Sequence, residues 1–298
     1  MTDDGLAALD GDWSDQPPAL RAAFEFTRKV TLEPHALDDA DVAALKKHWT
    51  DSQALEILFT VCGNNAMVRW TDALGIPQEK HRVYLTETSK ESVERKSSLA
   101  PLVCKTDARP RVPARKEAEA ALAAAAKRTP RFALVGDEET RKLLPADRSK
   151  GPIPAWVRLF ARFPKQGLAR AAMLRAAEDK GVLDKTLRAR IAWVAARHDR
   201  AWYALGHARR RLLALGVKED AIWEMDGDLK GFKEGERLAL AMARKLTVTP
   251  AAITDDDIAG LRKHFKDKEV AEIVHFTTMA AFFDRWTETA NLPLEARP

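Results

Sequence analysis

Residues 244–265 read RKLTVTPAAITDDDIAGLRKHF, and residues 28–49 read RKVTLEPHALDDADVAALKKHW. The two stretches align without gaps at a constant offset of 216. The alignment extends over residues 24–79 and 240–295, with 19 identities in 56 positions. Self-similarity at a fixed period is typical of an internal repeat, so we expect both segments to adopt the same fold.

The hydrophobic pattern predicts three helices in each copy. In the second copy Leu238, Met242 and Leu246 recur at helical spacing. Thr254, followed by three aspartates, is typical of an N-cap, because the helix dipole favours acidic residues in the first turn. The last helix is expected over about residues 267–291, before a proline. No run of alternating strand residues stands out, so the sequence predicts an all-α protein.

Length and charge suggest how the chain is organised. At roughly 150 residues per domain, 298 residues suggest about two domains. We expect a partial repeat over 1–79, a basic, proline-containing connector over 80–150 and a complete helical domain over 151–298. The connector holds 17 Lys and Arg against 10 Asp and Glu, a net charge of +7 in a chain of net charge +5. It has only two aromatic residues, so nucleic acid is not the expected partner. One alanine-rich helix is predicted between Ala114 and Lys127.

The sequence also limits compartment and cysteine chemistry. No apolar run reaches the roughly 18 residues of a membrane helix, and the acidic N-terminus lacks a signal-peptide pattern. We therefore predict a cytoplasmic protein that does not span a membrane. Its two cysteines exclude a disulfide scaffold and a four-thiolate zinc site. Cys62 is expected in the core, and Cys104 lies in the connector.

Three further stretches carry a family resemblance: LDKTLRARIAWVAARHDRAWYALGHARRRLLALGVKEDAI (183–222), EGERLALAMARKLTVTPAAITDDDIAGLRKHFKDKEVAEIV (234–274) and FFDRWTETANLPLE (282–295). The chain from about residue 152 to 295 resembles the carboxymuconolactone decarboxylase family, which includes the alkylhydroperoxidase D-like proteins. The resemblance implies an all-helical domain that forms homo-oligomers. The first copy looks like the C-terminal half of that domain. We expect it to pack pseudo-symmetrically against the complete domain, which would replace an interface between chains and give an oligomer of low order.

The resemblance also identifies a divergent site. Redox-active members of the family carry a Cys-x-x-Cys pair with a histidine four residues after the second cysteine. The matching positions here run from Arg200 to Tyr203, followed by His207. The glutamate expected on the preceding helix falls near Ala189. Thiol peroxidase chemistry is therefore not expected, because it needs both thiols.

His207 and Tyr203 are the predicted catalytic residues, since a four-residue spacing places them on one helix face. His207 could be a base or a ligand-binding group. The structural alternative is a histidine hydrogen-bonded within a helix interface. The other pocket candidates are His198, Asp199, Arg200, Trp202, Glu272 and His275.

The last helix carries part of a metal-ligand pattern, but the sequence does not predict a metal site there. Glu272 and His275, three residues apart, match a ligand pattern of di-iron bundles, and with His207 they could form a two-His, one-carboxylate site. The repeat equivalent of His275 is Phe59, so the repeat supplies no second motif. We expect no metal and no cofactor, and Glu272 is expected to pair with a basic residue.

Two functions of different classes stay open. One is an enzyme with a divergent small-molecule site around His207. The resemblance would make this enzyme an oxidoreductase (peroxidase-like) or a decarboxylase-like member of the family. The other is a non-catalytic helical module for binding or assembly. The enzyme needs a closed pocket where His207 meets polar groups, whereas the module would bury it among apolar side chains. Glycine-rich nucleotide loops and the serine-hydrolase elbow are absent from the sequence.

Overall fold

The computed structural model describes Leu9 and residues 13–77, 111–145 and 151–296. These residues contain thirteen α-helices and no strand, so the predicted all-α fold is confirmed for them. In chain order the helices are α1 (Pro18–Leu32), α2 (Asp39–Lys46), α3 (Asp51–Ala73), α4 (Arg115–Ala125), α5 (Asp137–Leu143), α6 (Ala155–Phe160), α7 (Gln166–Lys180), α8 (Lys185–Asp199), α9 (Trp202–Ala214), α10 (Glu219–Trp223), α11 (Glu234–Val248), α12 (Asp255–Arg262) and α13 (Asp267–Thr289).

The repeated sequence gives repeated secondary structure. The bounds of α11, α12 and α13 are those of α1, α2 and α3 shifted by 216 residues, and the short 3-10 turn after the first helix recurs with the same shift. Equivalent side chains fix the entry to the second helix. Lys29 pairs with Asp41 at 2.6 Å, and Lys245 pairs with Asp257 at 2.5 Å. Asp257 also accepts the backbone N–H of Thr254 at 2.8 Å, which closes the predicted N-terminus.

The long helices of the two copies, α3 and α13, pack along each other. Aromatic rings fill their interface: the ring centroid of Phe59 lies 5.6 Å from that of Trp286 and 6.0 Å from that of Phe282. Phe160 of α6 stacks on Trp286 at 5.1 Å. The buried side chains of both copies therefore form one hydrophobic core, which includes Cys62 as expected. A pseudo-symmetric arrangement of the copies stays a prediction, as do the domain boundaries.

The described part of the connector, residues 111–145, contacts both copies. Its predicted alanine-rich helix is present as α4. Arg131 donates to Asp39 at 2.5 Å, and its backbone N–H donates to the carbonyl of Ala290 at 2.9 Å. Cys104 and the rest of the connector lie outside the described residues. Within the described ranges, no helix is long and apolar enough to span a bilayer.

Candidate functional site

Six of the eight predicted site residues lie where α8 ends or on α9, and the other two, Glu272 and His275, lie on α13. Asp184 caps the N-terminus of α8: its carboxylate accepts the N–H groups of Thr186 and Leu187 at 2.9 Å. Arg200 follows the last residue of the helix and has a left-handed backbone (φ 53°). α9 then begins at Trp202 and carries Tyr203 and His207 on one face.

His207 and Tyr203 converge on Glu295, in the segment after α13. Nε2 of His207 lies 3.0 Å from one carboxylate oxygen of Glu295. The other oxygen accepts the Tyr203 hydroxyl at 2.6 Å and the Ala155 N–H at 2.8 Å. Burial alone would raise the pKa of Glu295, but the hydrogen bonds from His207, Tyr203 and Ala155 outweigh it and lower this pKa to about 2. Burial, reinforced by the charge of Glu295, raises the pKa of Tyr203 far above its usual value.

Glu295 was not identified from the sequence, because its place depends on a close approach of two segments. A Cβ added at Gly206 of α9 would lie 2.4 Å from Cδ2 of Leu294. Glycine therefore lets the C-terminal segment lie against α9 and brings Glu295 within reach of His207. In the sequence, the feature that could have indicated this close approach is Gly206, one residue before the motif histidine.

His207 lines a cavity of about 320 Å³ between α6, α7, α8, α9 and α13. His275 lines the same cavity. The apolar side chains of the wall include Trp156, Leu174, Ala192, Phe276, Met279 and Phe283, and the charged ones are Arg175, Glu178, Arg188, Arg211 and Asp284. The volume lies at the lower end of the range for small-molecule pockets.

Asp284 is a second residue that sequence reasoning missed. Its side chain is 2% exposed, and Oδ2 has no hydrogen-bond partner among the described residues. Burial, with the negative charge of Asp199, raises the pKa of Asp284 well above its ordinary value. The equivalent position in the first copy is Val68. A carboxyl at a position that is apolar in the other copy could have indicated a special role for Asp284.

His275 and Glu272 have separate environments despite their spacing. Burial lowers the pKa of His275, although the charge of Glu272 opposes this. Glu272 accepts the N–H groups of Val182 and Leu183 at 2.9 and 2.8 Å, so it stabilises the turn between α7 and α8. Its partners are thus main-chain amides rather than the basic residue expected. No three His, Cys, Asp or Glu side chains in the described ranges lie close enough together to hold a metal ion.

The remaining pocket candidates do not line this cavity. Asp199 forms a fully buried ion pair with Arg285 at 2.9 Å. Arg200 donates to the carbonyl of Arg111 at 2.6 Å, and His198 lines a different cavity of about 460 Å³. The N–H of Trp202 donates to Glu288 at 3.0 Å. Of the predicted site residues, the structure brings His207 and His275 to the cavity, whereas Tyr203 does not line it.

The geometry can support proton transfer. A carboxylate on one ring nitrogen orients a histidine and leaves the other nitrogen to exchange a proton. In the described structure Nδ1 of His207 makes no hydrogen bond with protein groups. Burial raises the pKa of the Asp284 carboxyl, which favours the protonated form that can donate a hydrogen bond. One cavity therefore combines a carboxylate-held imidazole with a buried carboxyl of raised pKa.

Comparisons with known proteins add little to this description. No protein-family model and no curated protein sequence matches the chain. Among solved structures the chain is similar to a cysteine-to-alanine variant of the debrominase Bmp8, in complex with 2,3,4-tribromopyrrole. The match has 17% sequence identity and a TM-score of 0.44, and it covers 64% of this chain and 95% of that one. This level of similarity does not establish a family for the chain.

Proposed function

We propose that the cavity beside α9 binds a small molecule, and that His207, held by Glu295, exchanges a proton with it. The observation that carries the proposal is the His207–Glu295 hydrogen bond of 3.0 Å at the wall of a cavity of about 320 Å³. Glu295 is itself held by Tyr203 and by a main-chain amide. Such support orients a catalytic side chain before the ligand arrives.

The alternative, a non-catalytic helical module, predicts His207 buried among apolar side chains. The imidazole instead has a carboxylate partner and a side chain 29% exposed, which favours a small-molecule site. The sequence resemblance adds an oxidoreductase or decarboxylase class as an expectation. Chemistry that uses a thiol pair is not proposed, because Arg200 and Tyr203 occupy the matching positions.

The test is NMR of the protein labelled at its histidine rings. His207 is assigned with a His207→Gln variant, and benzoate, acetophenone and tert-butyl hydroperoxide are added in turn at fixed pH. We expect one compound to shift the rings of His207 and His275 together. The ring ¹⁵N shifts report whether His207 gains or loses a proton.

His264 is the internal control, because it is an exposed histidine in the turn after α12 and is not among the cavity-lining residues. Its ring should not move, and a His264→Gln variant should bind the same compound as the parent protein does. If all three compounds leave His207 unmoved at millimolar concentration, or if they shift His264 equally, the proposal fails.

A further inference from the structure

Asp284 is a buried carboxyl whose Oδ2 has no hydrogen-bond partner among the described residues. The neighbouring cation, Arg285, already donates to Asp199 at 2.9 Å and to the carbonyl of Ala281 at 3.2 Å. Two negative groups, Asp199 from α8 and Glu288 from α13, disfavour a charge on Asp284. A polar group left unpaired in this way costs about 1–3 kcal/mol, so its retention in the wall of a cavity needs a reason.

The remaining charged groups of the cavity already have partners. Arg188 of α8 donates to the carbonyls of Ala177 and Glu178, and Arg211 of α9 pairs with the Glu178 carboxylate. Arg175 donates to the carbonyl of Ala171 at 3.3 Å. Three guanidinium groups disfavour a cationic ligand, and an anion would have to compete for groups that are already engaged.

Besides Nδ1 of the half-buried His207, two buried polar groups of the wall lack a hydrogen-bond partner in the described structure. One is the carboxyl of Asp284, whose raised pKa favours the protonated form that donates a hydrogen bond. The other is Nε of Arg188, which is buried and makes no hydrogen bond. Two unpaired donors are complementary to an oxygen acceptor on a ligand.

The rest of the wall is apolar and partly aromatic. Trp156, Phe276 and Phe283 line the cavity, and the ring centroids of Trp156 and Phe283 lie 5.7 Å apart. At about 30 Å³ for each water-sized group, a volume of about 320 Å³ holds roughly ten non-hydrogen atoms. This is the size of one substituted ring.

We propose that the cavity takes an uncharged ring compound of about ten non-hydrogen atoms whose carbonyl-type oxygen accepts a hydrogen bond from the Asp284 carboxyl. The inference rests on the proposed function, because it concerns the same cavity, and it adds the ligand class and a binding residue. Loss of the Asp284 proton at high pH replaces a donor with a negative charge, so binding weakens as pH rises. The titratable and charged groups that bear on this are Asp199 of α8, Arg285 and Glu288 of α13, and the cavity residues His207, His275, Arg175, Glu178, Arg188 and Arg211.

The experiment compares three probes of one shape in the full chain: acetophenone, benzoate and benzylammonium. Dissociation constants are read from ligand-observed NMR for the parent protein, Asp284→Asn and Asp284→Val. Asparagine keeps a donor at nearly the same size, and valine is the residue that the first copy has at this position. The matched control is Thr289→Ala, which removes a buried hydroxyl without a partner on the same helix, outside the cavity.

We expect acetophenone to bind more tightly than either charged probe. Its dissociation constant should rise about tenfold in Asp284→Val, as for the loss of a buried hydrogen bond, and stay within about threefold in Asp284→Asn and in Thr289→Ala. In ¹³C-labelled protein, the carboxyl carbon of Asp284, assigned with Asp284→Asn, should show the neutral form at pH 7. Thermal unfolding confirms that each variant is folded.

Any of five results would overturn the inference. Tighter binding of benzoate assigns the site to the arginines, and tighter binding of benzylammonium assigns it to an ionised Asp284. Unchanged affinity of acetophenone in Asp284→Val, or an ionised Asp284 at pH 7, removes the proposed donor. Failure of all three probes to bind also rejects it. If acetophenone shifts the His207 ring but its dissociation constant is unchanged in Asp284→Val, only this inference fails. If the dissociation constant depends on Asp284 while the ring signals of His207 do not shift, only the proposed function fails.

Discussion

Replacing Glu295 by glutamine tests the hydrogen-bond network of the site through its effect on folding stability. Hydrogen bonds from His207, Tyr203 and Ala155 lower the folded pKa of Glu295 from 4.5 to about 2. At about 1.4 kcal/mol per pKa unit, this difference corresponds to about 3 kcal/mol in favour of the folded state at neutral pH. The side chain is 30% exposed, and solvent screening reduces the expected value to about 2 kcal/mol.

The sign of the pH dependence follows from the direction of the shift. The folded pKa lies below the unfolded one, so the stabilisation is fully present above about pH 4.5 and is lost as pH falls towards 2. Glu295→Gln should therefore lower the free energy of unfolding by about 2 kcal/mol at pH 7 and by about half as much near pH 3.

The assay is chemical denaturation of the parent protein and of Glu295→Gln at both pH values. Glu25→Gln is the control, because Glu25 is exposed on α1 and has no described partner. It should change stability by less than about 0.5 kcal/mol at either pH. If Glu295→Gln lowers the free energy of unfolding equally at both pH values, or does not lower it at pH 7, the charge of Glu295 does not stabilise the fold.

Three further predictions follow from packing and burial. Gly206→Ala should destabilise the protein by about 1–3 kcal/mol, since its Cβ would overlap the leucine that precedes Glu295. By contrast, Gly260→Ala on α12, where an added Cβ would meet no atom within 4 Å, should stabilise it by about 0.5–1 kcal/mol. The denaturant midpoints of the two variants check this prediction. Equal effects of the two substitutions would contradict the close approach of Leu294 to Gly206. Asp199→Ala should cost about 3–5 kcal/mol, because it leaves the buried guanidinium of Arg285 unpaired; thermal unfolding checks this, and a loss below about 1 kcal/mol would count against the ion pair. Burial raises the pKa of Cys62 to about 12, so iodoacetamide should leave this thiol unmodified in the folded protein at pH 8, which peptide mass mapping checks; rapid labelling would refute its burial.

The repeat made the helices predictable, while contacts between distant segments were harder to anticipate. The capping pattern around Asp41 and Asp257 is local, so it fixes the same helix start in both copies. The spacing of Tyr203 and His207 is also local and placed both on one face. Glu295 joins them through the tertiary approach at Gly206, which helical periodicity does not encode.

The α13 face of the site shows a different limit of sequence reasoning. Glu272 and His275 lie three residues apart, but Glu272 reaches main-chain amides of a neighbouring turn, while His275 lines the cavity. Asp284, which lies between Phe283 and Arg285, belongs to no motif in the sequence. Comparing it with Val68 in the first copy would have marked it, because a carboxyl at an otherwise apolar position costs stability unless something binds it.

The pairing of α3 with α13 sets the order of events during synthesis. These helices share one core although 216 residues separate their equivalent positions. At about 5–20 residues per second, a ribosome needs roughly 10–40 s to make the partner of α3. During that time the nascent α3 exposes the side chains that later meet Phe282 and Trp286. Until α13 has been made, α3 lacks the helix that covers this apolar face, so synthesis that stops before α13 would leave the face exposed.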